Sequence, residues 1–205
     1  GMIVMAMFAV SLSYAGSQKY TEVRDLELDA SGLSAVFIEA GAGAMVVTGV
    51  QGSNEVVVVA TITVDTGDVD EAAKFVEKRL YLDLEQDGDR AVLKAGFRPG
   101  WGWGGEATVD LDVRMPAELA LEIDDGSGPI TVDGIASAVR IDDGSGPIAL
   151  TGTGDVEIDD GSGSIRLENT GAVTIDDGSG SISIVRAAGD VYVEDGSGTI
   201  EIRGV

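Results

Sequence analysis

The octamer IDDGSGSI at residues 158–165 occurs five times, with small changes, in the C-terminal part of this chain. The other copies are IDDGSGPI at 123–130 and 141–148, IDDGSGSI at 175–182, and VEDGSGTI at 193–200. Their first residues lie 18, 17, 17 and 18 positions apart. Self-similarity at a fixed period indicates a repeat architecture, in which each copy forms one structural unit.

Each repeat unit carries two short stretches in which apolar and polar residues alternate. In one unit they are Val156-x-Ile158 before the polar centre of the octamer and Ile165-x-Leu167 after it. Alternation of period two places every second side chain on one face of a β-strand. The glycines at the two bends are expected to supply the positive φ angles that tight turns need. Each unit is therefore predicted to be a coil of two strands and two turns.

No single coil can bury its own apolar face, so successive coils must stack with their strands about 4.8 Å apart. The sequence therefore predicts an all-β protein, a two-sheet β-solenoid of the β-roll or β-helix kind with coils of about 17–18 residues. Four columns of aliphatic side chains are expected to form its core. The columns are Val139, Val156, Val173 and Val191; Ile123, Ile141, Ile158, Ile175 and Val193; Ile130, Ile148, Ile165, Ile182 and Ile200; and Val132, Leu150, Leu167, Ile184 and Ile202.

The chain before the octamers follows the same pattern less regularly. Residues 36–38 and 45–47, joined by a Gly-Ala-rich segment, are similar to a degenerate coil. Residues 56–64 form a strand apolar enough to be buried on both faces. The pattern therefore indicates that β-structure continues toward the N-terminus.

One helix is predicted in this opening region. Asp68, with Glu71 three positions later, is typical of a helix N-terminus, and the apolar periodicity indicates a helix over about 68–80. We therefore expect residues 16–120 to form irregular opening coils and a cap containing that helix, because a solenoid needs capped ends. Residues 121–205 are expected to form a regular five-coil β-solenoid.

The N-terminus resembles a secretory signal peptide over residues 1–15. An apolar run, Met2–Leu12, precedes the small-x-small pattern Ser13-Tyr14-Ala15. The run is shorter than the ~20 residues that a membrane-spanning helix needs, so no transmembrane span is expected in the mature chain. The alternative is a buried N-terminal strand. A signal peptide predicts a periplasmic, secreted or cell-envelope protein of a bacterium.

Composition excludes several classes of function. The chain has 36 acidic and 13 basic residues, a formal charge of −23 that repels nucleic acid. It contains no cysteine and no histidine, which excludes thiolate and imidazole metal sites and the usual hydrolase triads. We therefore predict that the protein is not an enzyme and does not bind nucleic acid.

The coil GDVEIDDGSGSIRL at 154–167 resembles those of the bacterial "putative adhesin" family, also called toastrack domains. The resemblance is clearest over residues 121–205 and extends over most of the chain after residue 15. It implies a β-solenoid exported to the cell envelope, with a scaffold or adhesion role and no catalytic residues. This sequence departs from the usual family pattern by placing two acids before each Gly-Ser-Gly.

Stacking of the coils would align these acids in two columns along one edge. The first column is Asp124, Asp142, Asp159, Asp176 and Glu194, and the second is Asp125, Asp143, Asp160, Asp177 and Asp195. Carboxylates about 4.8 Å apart repel one another. Two arrangements relieve this repulsion: Ca²⁺ bound between rungs, or a turn in which the second acid accepts backbone hydrogen bonds while the first faces water.

The loop at residues 96–105 contains Trp101 and Trp103. If exposed, these side chains could stack on a sugar ring or contact lipid. If folded back, they would seal one end of the coils. With the acid columns they define an alternative function, a glycan- or Ca²⁺-binding module, beside the favoured structural or adhesive scaffold. The expected partner is an unidentified protein or glycan of the envelope or exterior, or a second copy paired end to end or edge to edge.

Overall fold

A computed structural model describes residues 5–7, 18–99 and 105–205. Within these ranges no helix has both the length and the apolar character that crossing a bilayer requires. The first half contains β1 (Met5–Met7), β2 (Gln18–Asp29), β3 (Ala35–Ala42), β4 (Met45–Val50), β5 (Glu55–Thr66), α1 (Val69–Arg79), β6 (Leu80–Asp87), β7 (Arg90–Phe97) and β8 (Ala107–Pro116). The second half contains β9 (Ala120–Ser127), β10 (Ile130–Asp133), β11 (Val139–Asp143), β12 (Ile148–Thr151), β13 (Val156–Asp160), β14 (Gly163–Thr170), β15 (Val173–Asp177), β16 (Gly180–Ala187), β17 (Val191–Asp195) and β18 (Gly198–Arg203). The prediction of an almost entirely β fold with one helix is confirmed.

The strands form two sheets. One has ten strands in the order β1-β2-β5-β8-β4-β10-β12-β14-β16-β18, and the other has eight in the order β17-β15-β13-β11-β9-β3-β7-β6. Strands of the octamer region pair in parallel, whereas β1, β2, β5 and β6 join by antiparallel pairing. Both sheets are therefore mixed, and neither closes on itself.

The octamers lie directly above one another. In the eight-stranded sheet Ile141 pairs with Ile123 on one side and Ile158 on the other. In the ten-stranded sheet Ile165 pairs with Ile148 and Ile182. Each octamer begins in the eight-stranded sheet and ends in the ten-stranded sheet. The predicted columns of isoleucine therefore line the space between the two sheets.

Burial of the predicted columns is nearly complete in the inner coils and incomplete in the last one. Ile158 and Ile165 are each 1% exposed, whereas Ile200 and Ile202 are 45% and 43% exposed. The last coil differs because β17 and β18 are edge strands of their sheets. Burial of these aliphatic side chains is the main stabilising term for the repeat.

The opening region adds two further strands to each sheet below the octamers. Strands β3 and β4 pair in parallel with β9 and β10, which places Ile38 beside Ile123 and Val47 beside Val132. Strands β7 and β8 pair with β3 and β4 on their other side. The spatial order of the coils therefore differs here from the chain order.

Helix α1 begins beside the predicted N-cap. One oxygen, Oδ1 of Asp68, accepts the backbone N–H groups of Asp70 (2.9 Å) and Glu71 (3.2 Å). Ala72 and Val76 bury the apolar face of the helix, which contacts β2, β5 and β6. The helix therefore covers apolar surface where β2 and β5 of one sheet and β6 of the other lie.

Two expectations for the opening region have different outcomes. The prediction that residues 56–64 are buried on both faces is wrong: burial alternates along β5, and Val59 is 37% exposed because its face of the sheet meets solvent. The signal peptide stays a prediction, since residues 1–4 and 8–15 lie outside the described ranges. Met5–Met7 pairs antiparallel with β2.

Candidate functional site

The five Asp-Asp-Gly-Ser-Gly segments align along one edge of the two sheets, here called the bend edge. Parallel pairing sets Asp142 beside Asp159 and Asp143 beside Asp160, and the same register holds in every octamer. Two columns of acids therefore run along the bend edge. The outer acid column is Asp124, Asp142, Asp159, Asp176 and Glu194, and the inner acid column is Asp125, Asp143, Asp160, Asp177 and Asp195.

The two columns have opposite surroundings because consecutive side chains of a strand point to opposite faces. All five outer acids are exposed. The inner acids face the core with the isoleucines: Asp125 is 4% exposed, Asp143 2%, and Asp160 and Asp177 1% each. Four carboxyl groups are therefore buried in a column between the sheets.

One oxygen of most inner acids is satisfied by its own turn. The backbone N–H groups of the serines two residues later donate to Oδ1 of Asp143 (3.1 Å), Asp160 (3.1 Å), Asp177 (3.0 Å) and Asp195 (2.9 Å). This is the Asx-type turn that the sequence offered as one way to relieve repulsion along the edge. It fixes each carboxyl group in place while leaving its second oxygen available.

The second oxygen of each buried inner acid lacks a partner. Oδ2 of Asp125, Asp143, Asp160 and Asp177 is inaccessible to solvent and accepts no hydrogen bond among the described residues. Burial, reinforced by Asp143, raises the pKa of Asp125 to about 7, and burial raises the pKa of Asp160 to about 6. Burial also raises the pKa of Asp143 and that of Asp177. Desolvation disfavours a charged carboxylate in such a place.

The glycines of the bend edge are required by close stacking. A Cβ added at Gly161 would lie 2.5 Å from the carbonyl oxygen of Gly144, and one added at Gly163 would overlap the carbonyl oxygen of Gly146. Of the ten octamer glycines, Gly128 and Gly146 have positive φ. The expectation that bend glycines supply positive φ is therefore wrong for most of them, because the neighbouring backbone excludes a side chain instead.

Positive φ is instead concentrated at the opposite bend. Gly134, Gly152 and Gly204, with φ of 72°, 65° and 70°, directly follow β10, β12 and β18. Asn169 and Arg186, with φ of 57° and 61°, are the second-last residues of β14 and β16. Asn tolerates this left-handed region better than most residues. The glycine expectation therefore holds at this bend, where two coils use other residues.

The predicted metal and aromatic sites have separate outcomes. No group of three or more acidic side chains in residues 5–7, 18–99 and 105–205 is arranged to hold a metal ion. Calcium binding by the acid columns stays a prediction. Trp101 and Trp103 lie outside the described residues, so both alternatives for them stay open. The burial of the second acid was readable from the sequence, because Ile158 and Asp160 share one face at period two.

Comparison with known proteins gives matches among solved structures alone. No protein-family model and no curated protein matches the chain. A "putative cell adhesion protein" from Clostridium sporogenes has a TM-score of 0.50 at 13% identity, over 92% of this chain and 99% of that one. A "putative lipid binding protein" from Parabacteroides distasonis has a TM-score of 0.34 at 15% identity, over 90% and 96%. A "putative adhesin" from Parabacteroides merdae has a TM-score of 0.26 at 12% identity, over 89% and 96%.

The first of these structures is similar enough to compare folds, and its low identity limits the conclusion to the fold. Coverage of both chains is nearly complete, so the likeness includes the opening coils as well as the octamers. This chain therefore has a fold similar to that of the solved Clostridium protein described as a putative cell adhesion protein, as the resemblance to adhesin-like proteins implied.

Proposed function

We propose that this protein is an exported, envelope-associated scaffold of the adhesion type, built as a β-solenoid and without catalytic activity. The observation that carries the proposal is the in-register stack of octamers, whose interior is filled by aliphatic side chains and whose outer faces are open. Every inner coil is hydrogen-bonded to two neighbours. Such a stack is stiff along its length, which suits a protein that presents a surface at a distance.

The outer face of the eight-stranded sheet is the proposed contact surface. Its central column, which consists of Glu122, Arg140, Glu157, Thr174 and Tyr192, changes chemistry from rung to rung. Arg140 and Glu157 form an ion pair between neighbouring rungs, and Tyr192 is 58% exposed. A face with varied, solvated side chains on a fixed backbone fits recognition of an envelope or extracellular protein or glycan. The description of the Clostridium structure as a cell adhesion protein supports the same class of role.

Absence of catalysis fits the chemistry of the described carboxyl groups. The outer acids are exposed, so water screens them, and the inner acids lie in the core where a substrate cannot approach. A general acid or base needs a side chain within hydrogen-bonding reach of its substrate. Export is supported by the signal-like pattern at residues 1–15.

Two measurements test the scaffold proposal. The first is fractionation of bacteria that express the chain with and without residues 2–15; we expect the full chain in the envelope or medium and the shortened chain in the cytoplasm. The second is binding of chain-coated beads to envelope preparations, compared with beads carrying Arg140→Glu/Tyr192→Ala. Retention of the full chain in the cytoplasm, or equal binding by the face variant, would contradict the proposal.

A glycan-binding function is the second candidate, favoured by a groove lined by Thr108, Asp110 and Ser127 together with the small residues Gly43 and Gly128. Hydroxyl and carboxylate groups can bind sugar hydroxyls, and the two tryptophans predicted as sugar contacts precede Thr108 by a few positions in sequence. Quenching of tryptophan fluorescence by cell-wall fragments, lost in Trp101→Ala/Trp103→Ala, supports this function. Unchanged fluorescence contradicts it. Calorimetric titration with Ca²⁺ tests the metal-binding form of the same module.

Association of two copies through the last coil is a further part of the proposal. The edge strands β17 and β18 leave Ile200 and Ile202 almost half exposed. Apolar edge strands favour pairing with another chain. Sedimentation velocity should show a concentration-dependent dimer that Ile200→Lys/Ile202→Lys abolishes, and a monomer at all concentrations would contradict end-to-end pairing.

A further inference from the structure

The buried part of the inner acid column places carboxyl groups one rung apart, each with an Oδ2 that has no hydrogen-bond partner among the described residues. Asp125, Asp143, Asp160 and Asp177 occupy consecutive strands, with Ala40 beside the first and Asp195 beside the last. Adjacent parallel strands are about 4.8 Å apart, so neighbouring carboxyl groups are within reach of direct contact. Two ionised carboxylates have no donor between them, whereas one protonated carboxyl group donates an O–H to its neighbour.

Among the described residues, no positive charge acts on the buried acids of the column. The groups that act on these carboxyls electrostatically are other acids: Asp124, Asp142, Asp159 and Asp176 of the outer column and Asp195 of the inner one, besides the inner acids themselves. Across the bend, the inward side chains of the ten-stranded sheet are the buried isoleucines. Charged residues of those strands, such as Asp133 and Arg166, are exposed. No basic side chain of the described residues therefore neutralises the column, and protons shared between its carboxyl groups can do so.

We propose that neighbouring rungs of the inner acid column share protons, which makes the column a pH-sensitive lock that closes the bend edge in acid and loosens it as the pH rises. Each shared proton would satisfy an Oδ2 that otherwise has no partner. The column lies where every coil turns from one sheet to the other. Ionisation of the column therefore separates rungs along the whole edge.

The direction of the pH effect follows from the raised pKa values of the inner acids. In the unfolded chain an aspartate ionises near pH 4, whereas the folded-state pKa of Asp160 is about 6 and that of Asp125 about 7. A raised pKa means that the folded state binds more protons than the unfolded state. The contribution of the column is fully present below about pH 4 and is lost as the pH rises through about 6 to 7.

Urea unfolding of the full chain at about pH 5 and about pH 8 tests this proposal, with two matched variants. Asp143→Asn/Asp160→Asn keeps the Oδ1 acceptor of each turn and replaces Oδ2 by an NH₂ donor. Asp142→Asn/Asp159→Asn removes the same number of carboxyl groups from the same two strands, but from the outer acid column. It therefore controls for net charge.

We expect the unfolding equilibrium constant of the unmodified protein to rise by about a hundredfold or more between these pH values, since each proton released contributes about tenfold per pH unit. Asp142→Asn/Asp159→Asn, the outer variant, should keep at least half of the logarithm of this change in the equilibrium constant. Asp143→Asn/Asp160→Asn, the inner variant, should lose more than half of it. An equal loss in both variants, or a protein that is less stable at about pH 5 than at about pH 8, overturns the proposal.

Infrared spectroscopy of the unmodified protein keeps the proposal testable if the inner variant does not fold. The C=O stretch of protonated carboxyl groups should persist at about pH 5.5, where exposed aspartates are ionised, and disappear by about pH 8. Absence of the band at about pH 5.5 overturns the proposal. So does stabilisation by Ca²⁺ at that pH without the band, because a cation would then occupy the column in place of protons.

Discussion

Substitution of Gly161 by alanine tests the reason for the glycine at the bend edge. The φ of Gly161 is not in the left-handed region, so the backbone conformation suits alanine. The obstacle is the carbonyl oxygen of Gly144, which would lie 2.5 Å from the new Cβ. Ordinary contact between these atoms needs roughly 3.2 Å or more, so the two rungs must separate by several tenths of an ångström.

The expected loss of stability follows from two effects. Overpacking of a close-packed interior destabilises by about 1–3 kcal/mol, and weakening of a backbone hydrogen bond adds about 1 kcal/mol. The bond concerned joins the N–H of Gly161 to the carbonyl oxygen of Asp143 at 2.9 Å. Alanine also lowers the conformational entropy of the unfolded chain, which stabilises the folded protein by about 0.4–1 kcal/mol. We expect a net loss of about 2–3 kcal/mol, or roughly 5–10 °C in Tm for a chain of this size.

Two control variants separate contact from backbone conformation in the same urea and thermal unfolding assays. Gly67→Ala meets no atom within 4 Å and has no positive φ, so its stability should be unchanged or slightly higher. Gly152→Ala has a φ of 65° and its nearest atom at 3.9 Å, so it should lose about 1–2 kcal/mol through conformation alone. If Gly161→Ala is as stable as Gly67→Ala, close stacking is not the reason for the glycine.

Three further substitutions probe burial, helix capping and the opposite bend. Ile175→Ala should lose about 2–5 kcal/mol, because Ile175 is 0% exposed, whereas Ile202→Ala, at 43% exposure, should lose less than half of that in urea unfolding. Equal losses would contradict the assigned burial. Asp68→Ala removes the acceptor for two N–H groups and should lose about 1 kcal/mol, with a matching fall in helical circular dichroism. Asn169→Ala should destabilise by about 1 kcal/mol more than Asn169→Gly, because the φ of 57° favours glycine; the reverse order in Tm would refute the left-handed assignment.

The octamers could be predicted well because their spacing fixes both register and burial. An isoleucine that recurs every 17 or 18 residues beside a polar bend must stack on its own copies, and Ile141 does pair with Ile123 and Ile158. The opening region has no such repeat. Nothing in its sequence indicates that β7 and β8 lie below β3 and β4, because the order is set by the returning segment of β5, α1 and β6.

The alignment of the two acid columns and the turn around each second acid could be predicted, but the burial of the inner acid column was not. Alternation puts Asp160 on the same face as Ile158, yet aspartate is rarely fully buried, so this burial was not expected. The role of the bend glycines could not be predicted from the sequence either. A glycine needed for positive φ and a glycine needed for close stacking look identical in sequence, and the separation of neighbouring backbones decides between them.

Distances between spin labels test the in-register stack most directly. The chain has no cysteine, so a pair of cysteines can be introduced cleanly at exposed positions of the outer acid column. With one label at Asp124 and the other at Asp159, Asp176 or Glu194, the labels are two, three or four rungs apart. We expect mean distances that increase by about 4.8 Å per rung, reaching about 19 Å for the last pair. Distances that do not increase with the number of rungs would contradict the stacking on which the fold, the buried acids and the proposed scaffold depend.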